Sequence, residues 1–214
     1  MAADRTWEPP SAGRPDRRPD PAADEPLTTR DRILAAAVHL TGTEGWGKVT
    51  MARLAAATGV SRQTVYNEVG GKPDLAEAMV LGELARFLAE VDGAFTAHPD
   101  DLTAALTAAC RGVLEVAQDN ELLHAVVSAT HGAETELLPL LTTHAESLLS
   151  TAKAVLRERI TPYDVALTPA QLDVSVDTVV RTMLSHVMQP SGTPEETAQA
   201  LAWVAGRVLA PGRD

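Results

Sequence analysis

The chain has 214 residues, of which 45% are hydrophobic and 22% charged; that is enough to bury a substantial core, and it excludes wholesale disorder and collagen-like or low-complexity architecture. Eighteen basic residues against 29 acidic ones leave a net charge of −11, a poor balance for coating nucleic acid through bulk charge, so any DNA contact has to be local. The single cysteine, Cys110, forms no intramolecular disulfide and seeds no thiolate zinc site, and no apolar run approaches a membrane span, which together predict a cytoplasmic protein.

Residues 1–27 hold six of the 14 prolines, with Arg14, Arg17 and Arg18 scattered among acids. They carry no periodic apolar pattern and read as a disordered arm. Its arginines have the chemistry to enter a minor groove, but Asp16, Asp20, Asp24 and Glu25 dilute that field, which favours a solvated tail. From Thr29, placed as a cap, Ile33, Leu34, Ala37, Val38 and Leu40 recur at helical spacing until Gly42 and Gly45 stop the helix. Thr50 caps a second helix carrying Met51, Leu54, Ala55 and Ala57; it ends at Gly59, where a residue without Cβ takes the left-handed conformation. Ser61 caps a third helix from Arg62 to Val69, stopped by Gly70 and Gly71. Proline, glycine and cap residues divide the rest into helices near 73–95, 100–118, 121–131, 135–159, 169–189 and 194–209, with Pro73, Pro169 and Pro194 at first-turn positions. No strand signal interrupts them, so the expected fold is all-α with roughly nine helices.

Thr50 to Val69 has the length and turn chemistry of a helix-turn-helix, whose second helix lies in the DNA major groove. Charge partition agrees: residues 28–75 carry Arg30, Arg32, Lys48, Arg53, Arg62 and Lys72 against Asp31, Glu44, Glu68 and Asp74, while the remainder is acidic. Arg62 presents a fork for guanine, Gln63 suits adenine, and Thr64 offers a hydroxyl or methyl, so the helix start carries base-reading groups. Thr50, Ser61, Tyr66 and Lys72 suit phosphates, with Arg53 assisting, and Asn67 suits either a base or the backbone. The plain alternatives are that Thr50 and Ser61 merely cap, that Arg62 is solvated, and that Tyr66 seals the small domain.

Through Thr29-Arg-Asp-Arg-Ile-Leu-Ala-Ala-Ala37, Gly45-Trp46, Thr50-Met-Ala-Arg-Leu-Ala55, Thr58-Gly-Val-Ser-Arg-Gln-Thr-Val-Tyr66 and Gly71-Lys-Pro-Asp-Leu75, the chain resembles the TetR family of transcriptional regulators. The resemblance implies a three-helix DNA-binding domain, here 28–72, and a larger helical effector-binding and dimerising domain, here 73–214. It further implies a homodimer on double-stranded, palindromic DNA, released by a small effector. Where the family usually carries an aromatic three residues after the tyrosine, this chain has Val69.

Other signals carry less. Gly42 to Val49 nearly matches a phosphate-binding loop but lacks the Ser or Thr at Val49 and follows a helix instead of a strand. His124 and His131 share a helical face, yet neither HExxH nor a cysteine pair accompanies them, so no metal, cofactor or catalytic residue is expected. In the C-terminal part, Cys110, His124, Ser128, His131 and His144 are candidate polar lining of a mainly apolar effector cavity. Val176, Val180, Met183 and Val187, with Ala198, Leu201, Ala202 and Gly206, are a candidate dimer surface, because small residues at four-residue intervals admit a close helix neighbour. Ordinary core is the competing reading of the same residues. The mechanism expected is geometric: the dimer sets the two recognition helices about one DNA turn apart, ~34 Å or a multiple, and ligand favours another spacing through the helix that starts at Pro73. The alternative function is a helical small-molecule carrier or protein-interaction adaptor that binds no DNA.

Overall fold

The computed structural model describes residues 27–129 and 138–209, with side chains at all of these except 126, 128–129 and 138–145; the N-terminal arm up to residue 26 and His131 lie outside the described residues. Every regular element among them is helical: α1 (Thr29–Glu44), a 3-10 turn (Trp46–Lys48), α2 (Met51–Thr58), α3 (Arg62–Val69), α4 (Lys72–Ala97), α5 (Leu102–Gln118), α6 (Glu121–Ala129), α7 (Leu138–Ile160), α8 (Pro169–Met188) and α9 (Pro194–Leu209). None of them is long and apolar enough to cross a membrane.

Two details of α1 differ from the sequence expectation. Its cap is Thr28, one residue earlier: the Thr28 hydroxyl accepts from the Asp31 amide at 3.1 Å, and the Asp31 carboxylate accepts from the Thr28 amide at 3.2 Å, a reciprocal capping box. The helix also runs through Gly42 and ends only at Gly45, where φ is +88°. Gly42 serves a close approach instead of a stop, since a Cβ there would lie 2.8 Å from Glu121 Cβ at the start of α6. Residues 42–49 thus form the end of α1 and the 3-10 turn.

Two cores organise the molecule. The first gathers Ile33 and Ala37 of α1, Trp46, Val49, Leu54 of α2, Val65 and Val69 of α3, and Leu75, Ala76 and Met79 of α4. Leu122 of α6 is buried in that same core, so the packing does not break at residue 72. The second core joins Ala94 and Phe95 of α4, Ala105, Leu106 and Ala109 of α5, Leu156 and Ile160 of α7, Val176 of α8, and Ala202, Ala205 and Leu209 of α9. Helix α4, with 26 residues and a length of about 39 Å at 1.5 Å per residue, contributes its first turns to one core and its last turns to the other.

Helix α9 corrects an expectation. Ala198 is 0% and Ala202 2% exposed within the single chain, and a Cβ on Gly206 would meet the Thr103 hydroxyl of α5 at 3.5 Å. The small-residue stripe is consumed against α5, where Ala105 and Ala109 offer an equally shallow surface; it is not an outward face. Val176 is likewise buried in the second core.

Candidate functional site

Residues 50–69 form two helices joined by a tight turn. The Thr50 hydroxyl accepts from the Arg53 amide at 3.3 Å, and the Ser61 hydroxyl accepts from the Thr64 amide at 3.0 Å, so both hydroxyls cap. Gly59 ends α2 with φ +70° and ψ +26°, the left-handed conformation that side chains resist. The Val60 amide then donates back to the Ala55 carbonyl at 3.1 Å, closing the turn.

Helix α3 has two distinct faces. Val65 is fully buried and Val69 is 3% exposed, so the valine at the position that differs from the family pattern packs into the small core. Arg62, Gln63, Tyr66 and Asn67 are exposed on the other face, with Tyr66 at 52%. Gln63 donates from Nε2 to Asn67 Oδ1 at 2.9 Å, which links two amides one turn apart. The Thr64 hydroxyl lies 2.8 Å from that of Ser61 and is half-buried. At the entry to α4, Lys72 Nζ sits 4.8 Å from the centroid of the Trp46 ring, a cation–π contact that fixes its ammonium beside the helix-turn-helix.

Arg53 is engaged within the chain. It donates to Glu44 at the end of α1, one contact at 2.8 Å, and to the Lys48 carbonyl at 3.3 Å. The hydrogen bond from Arg53 holds the Glu44 carboxyl below its ordinary range, and the same pair raises the guanidinium. Arg53 braces α2 against α1; only donors it does not spend on Glu44 are left for a phosphate. Arg30 performs a similar service by donating to the Glu68 carbonyl of α3.

The family descriptions that match are "Bacterial regulatory proteins, tetR family" over residues 33–79 and "Bacterial Tetracyclin repressor, C-terminal domain" over 101–207. The HTH-type transcriptional regulator AlkX of Mycobacterium tuberculosis is 30% identical over 173 residues, 81% of each chain. The chain belongs to the TetR family of transcriptional regulators. Among solved structures, the TetR-family repressor AlkX of Dietzia sp. strain DQ12-45-1b, implicated in biodegradation of n-alkanes, is similar at TM-score 0.65 and 27% identity, over 85% of this chain and 95% of that one. A TetR-family regulator from Streptomyces coelicolor shares the fold at TM-score 0.58 and 19% identity, over 84% of this chain and 79% of that one. The protein is therefore a ligand-responsive DNA-binding regulator that acts as a homodimer, and α3 is the helix of the TetR-type reading head.

The body of this TetR-family regulator holds a half-open cavity of about 440 Å³ between α4, α5, α7 and α8, with Asn120, Leu122 and Leu123 of the α5–α6 corner in its wall. Among the described residues its wall is aliphatic or thioether apart from Phe87, the Cys110 thiol, Glu83 and Asn120. Burial pushes the Cys110 thiol up to about 12, so it is neutral and behaves as a small apolar group. Val180, Met183 and Val187, expected on the dimer face, line this cavity instead. His124 is exposed and lines a separate cleft of about 280 Å³ with His186. The side chains of Ser128 and His144 lie outside the described residues, as does all of His131. No group of three potential metal ligands occurs among the described residues.

The exposed apolar residues of α8 and α9 include Leu184, Val204 and Val208, which the sequence also offers as dimer surface and which are near half exposed, and two that it does not single out for that face, Val174 at 67% and Trp203 at 63%. The available signal was α9 itself, which carries apolar residues on two faces where one suffices to pack a helix. Arg207 lies 5.5 Å from the Trp203 ring and keeps that ring covered on one side.

Proposed function

We propose that this protein is a cytoplasmic repressor that grips a palindromic operator as a dimer and leaves it when a slender, mainly apolar effector fills the cavity beneath α4. The reading is carried by one juxtaposition: α4 begins at Lys72, directly behind the exposed row of α3, and its middle residues Val80, Leu84 and Phe87 form the cavity wall. A ligand that spreads that wall displaces the same rod that seats the reading head.

Within this reading Arg62 and Gln63 read bases, Thr64 and Asn67 assist, and Thr50, Ser61, Tyr66 and Lys72 hold phosphates. Residues 28–72 act as the head and 73–214 as the body, with Leu122 tying one to the other. Two copies meet through the exposed stripe Val174, Leu184, Trp203, Val204 and Val208, joined by Leu201, which is half-buried; five large apolar side chains left in water on two adjacent helices are what a partner helix pair removes from it. The aliphatic wall suits compounds built on the hydrocarbon chain of the n-alkanes in whose biodegradation the Dietzia relative is implicated.

The test is footprinting of the full chain on DNA containing its palindrome, with and without long-chain alkyl compounds. Protection of two half-sites that weakens as the alkyl compound is added supports the reading. Protection indifferent to every such compound refutes the effector assignment, and no protection of any palindrome refutes the repressor.

A further inference from the structure

Among the described residues the ionisable and amide lining of the apolar cavity gathers at one place. Asn120, 2% exposed, stands between α5 and α6. It donates from Nδ2 to Glu83 Oε2 at 2.5 Å and accepts the Leu123 amide at Oδ1, 2.7 Å away. Arg86 approaches the same carboxylate from the solvent side, its Nη1 3.1 Å from Oε2 and 3.4 Å from Oε1. Oε2 therefore has two good donors, while Oε1 has only the long contact and keeps acceptor capacity. The Glu83 side chain is 14% exposed, and the described wall holds no Lys, Arg or His.

We propose that Glu83 and Asn120 form the headgroup site of this cavity, and that the cavity takes a straight aliphatic chain ending in a neutral hydrogen-bond donor, the chemistry of a primary alcohol. The proposal rests on the reading of the cavity as the effector site. A hydroxyl donating to Oε1 gains a charge-assisted hydrogen bond without bringing a charge into the apolar interior. A carboxylate head sets a second anion against Glu83 with no cation in the described wall to offset it. An ammonium must shed its water beside a carboxylate that Arg86 already neutralises. A methyl end gains burial only and leaves Oε1 unfilled. The same site has a route to the reading head. Asn120 caps α6, and the next two residues, Glu121 and Leu122, are those that meet α1 at Gly42 and enter the N-terminal core. A hydroxyl seated on Oε1 loads the same carboxylate that Asn120 holds through Oε2, one residue away from those contacts.

The experiment compares lauryl alcohol, dodecane, laurate and dodecylammonium as displacers of a fluorescent apolar probe from the full-length protein, and as releasers of its operator. Lauryl alcohol is expected to bind tightest, by about tenfold over dodecane and laurate. Glu83→Leu should erase the alcohol's advantage over dodecane, and Glu83→Gln, which retains an acceptor, should keep part of it. The wild-type series needs no variant to fold. Laurate or dodecylammonium matching the alcohol in the wild type, or an alcohol advantage that survives Glu83→Leu, overturns the headgroup site. If all four bind alike and release the operator, the effector cavity stands and the headgroup site alone falls. If none displaces the probe and none releases DNA, both fall together.

Discussion

Arg62 and Lys72, two cations of the proposed reading head, are expected to do different work. Arg62 is exposed at the first turn of α3, where a bidentate contact to one base discriminates by about 1–3 kcal/mol. Arg62→Ala is expected to flatten preference at one operator position in a binding-site selection. Lys72 lies over Trp46 and, as the proposed phosphate contact, acts as a point charge, so Lys72→Ala should weaken all sequences alike and reduce the slope of log affinity against log salt by about one. Retained preference in the first variant, or an unchanged salt slope in the second, contradicts the assignments. Glu44 belongs to the same scale. Its carboxyl is lowered chiefly by the hydrogen bond from Arg53, so the pair's contribution is present above the ordinary carboxylate range and lost as pH falls through the lowered value. Urea unfolding across the acid range should show that loss in the native protein and not in Glu44→Gln. The Ser61 cap and the outward placement of Arg62 and Gln63 were legible in sequence because they depend on helix phase alone. The Arg53 pairing was not, since it depends on where α1 ends relative to α2.

At the level of elements, the contact between α1 and α6 decides how the body reaches the head. Gly42 in a helix interior would normally favour alanine by roughly 0.5–1 kcal/mol. Here the added Cβ meets Glu121 Cβ at 2.8 Å, neither atom is at the end of a flexible chain, and Gly42→Ala should instead destabilise by about 1–3 kcal/mol in chemical denaturation. A neutral or stabilising result would show that the two helices separate freely. Nothing in the spacing of residues 33–42 distinguishes a glycine that stops a helix from one that lets another helix approach. The same limit applied to α9, where Ala198, Ala202 and Gly206 look alike whether the neighbour is α5 or a second subunit. Periodicity identifies a shallow face, and only the neighbour tells whose it is.

For the whole molecule, a palindromic operator requires two reading heads held about one DNA turn, ~34 Å or a multiple, apart. Trp203 is largely exposed in the single chain, so Trp203→Glu should cost the monomer fold little while disfavouring a partner on that face. Sedimentation is expected to give a monomer with unchanged helix content, and operator affinity should fall steeply because the second half-site is no longer tethered. A dimer that persists in Trp203→Glu and in Val204→Glu places the interface elsewhere.

The order of residues along the chain determined the helices, their caps, the turn at Gly59 and the cationic segment between residues 28 and 75, since each arises from interactions within a few positions. Tertiary structure decided which of several apolar faces became solid packing, which became the wall of a cavity and which stayed in water. Val180, Met183 and Val187 turned inward to the cavity, whereas Val174 remained exposed on the same helix and Leu184 sits at the cavity's rim, lining it while staying near half exposed. The physical reason is that burial is a property of pairs of surfaces, and a helix more apolar than one neighbour requires leaves its sequence silent about which side that neighbour takes.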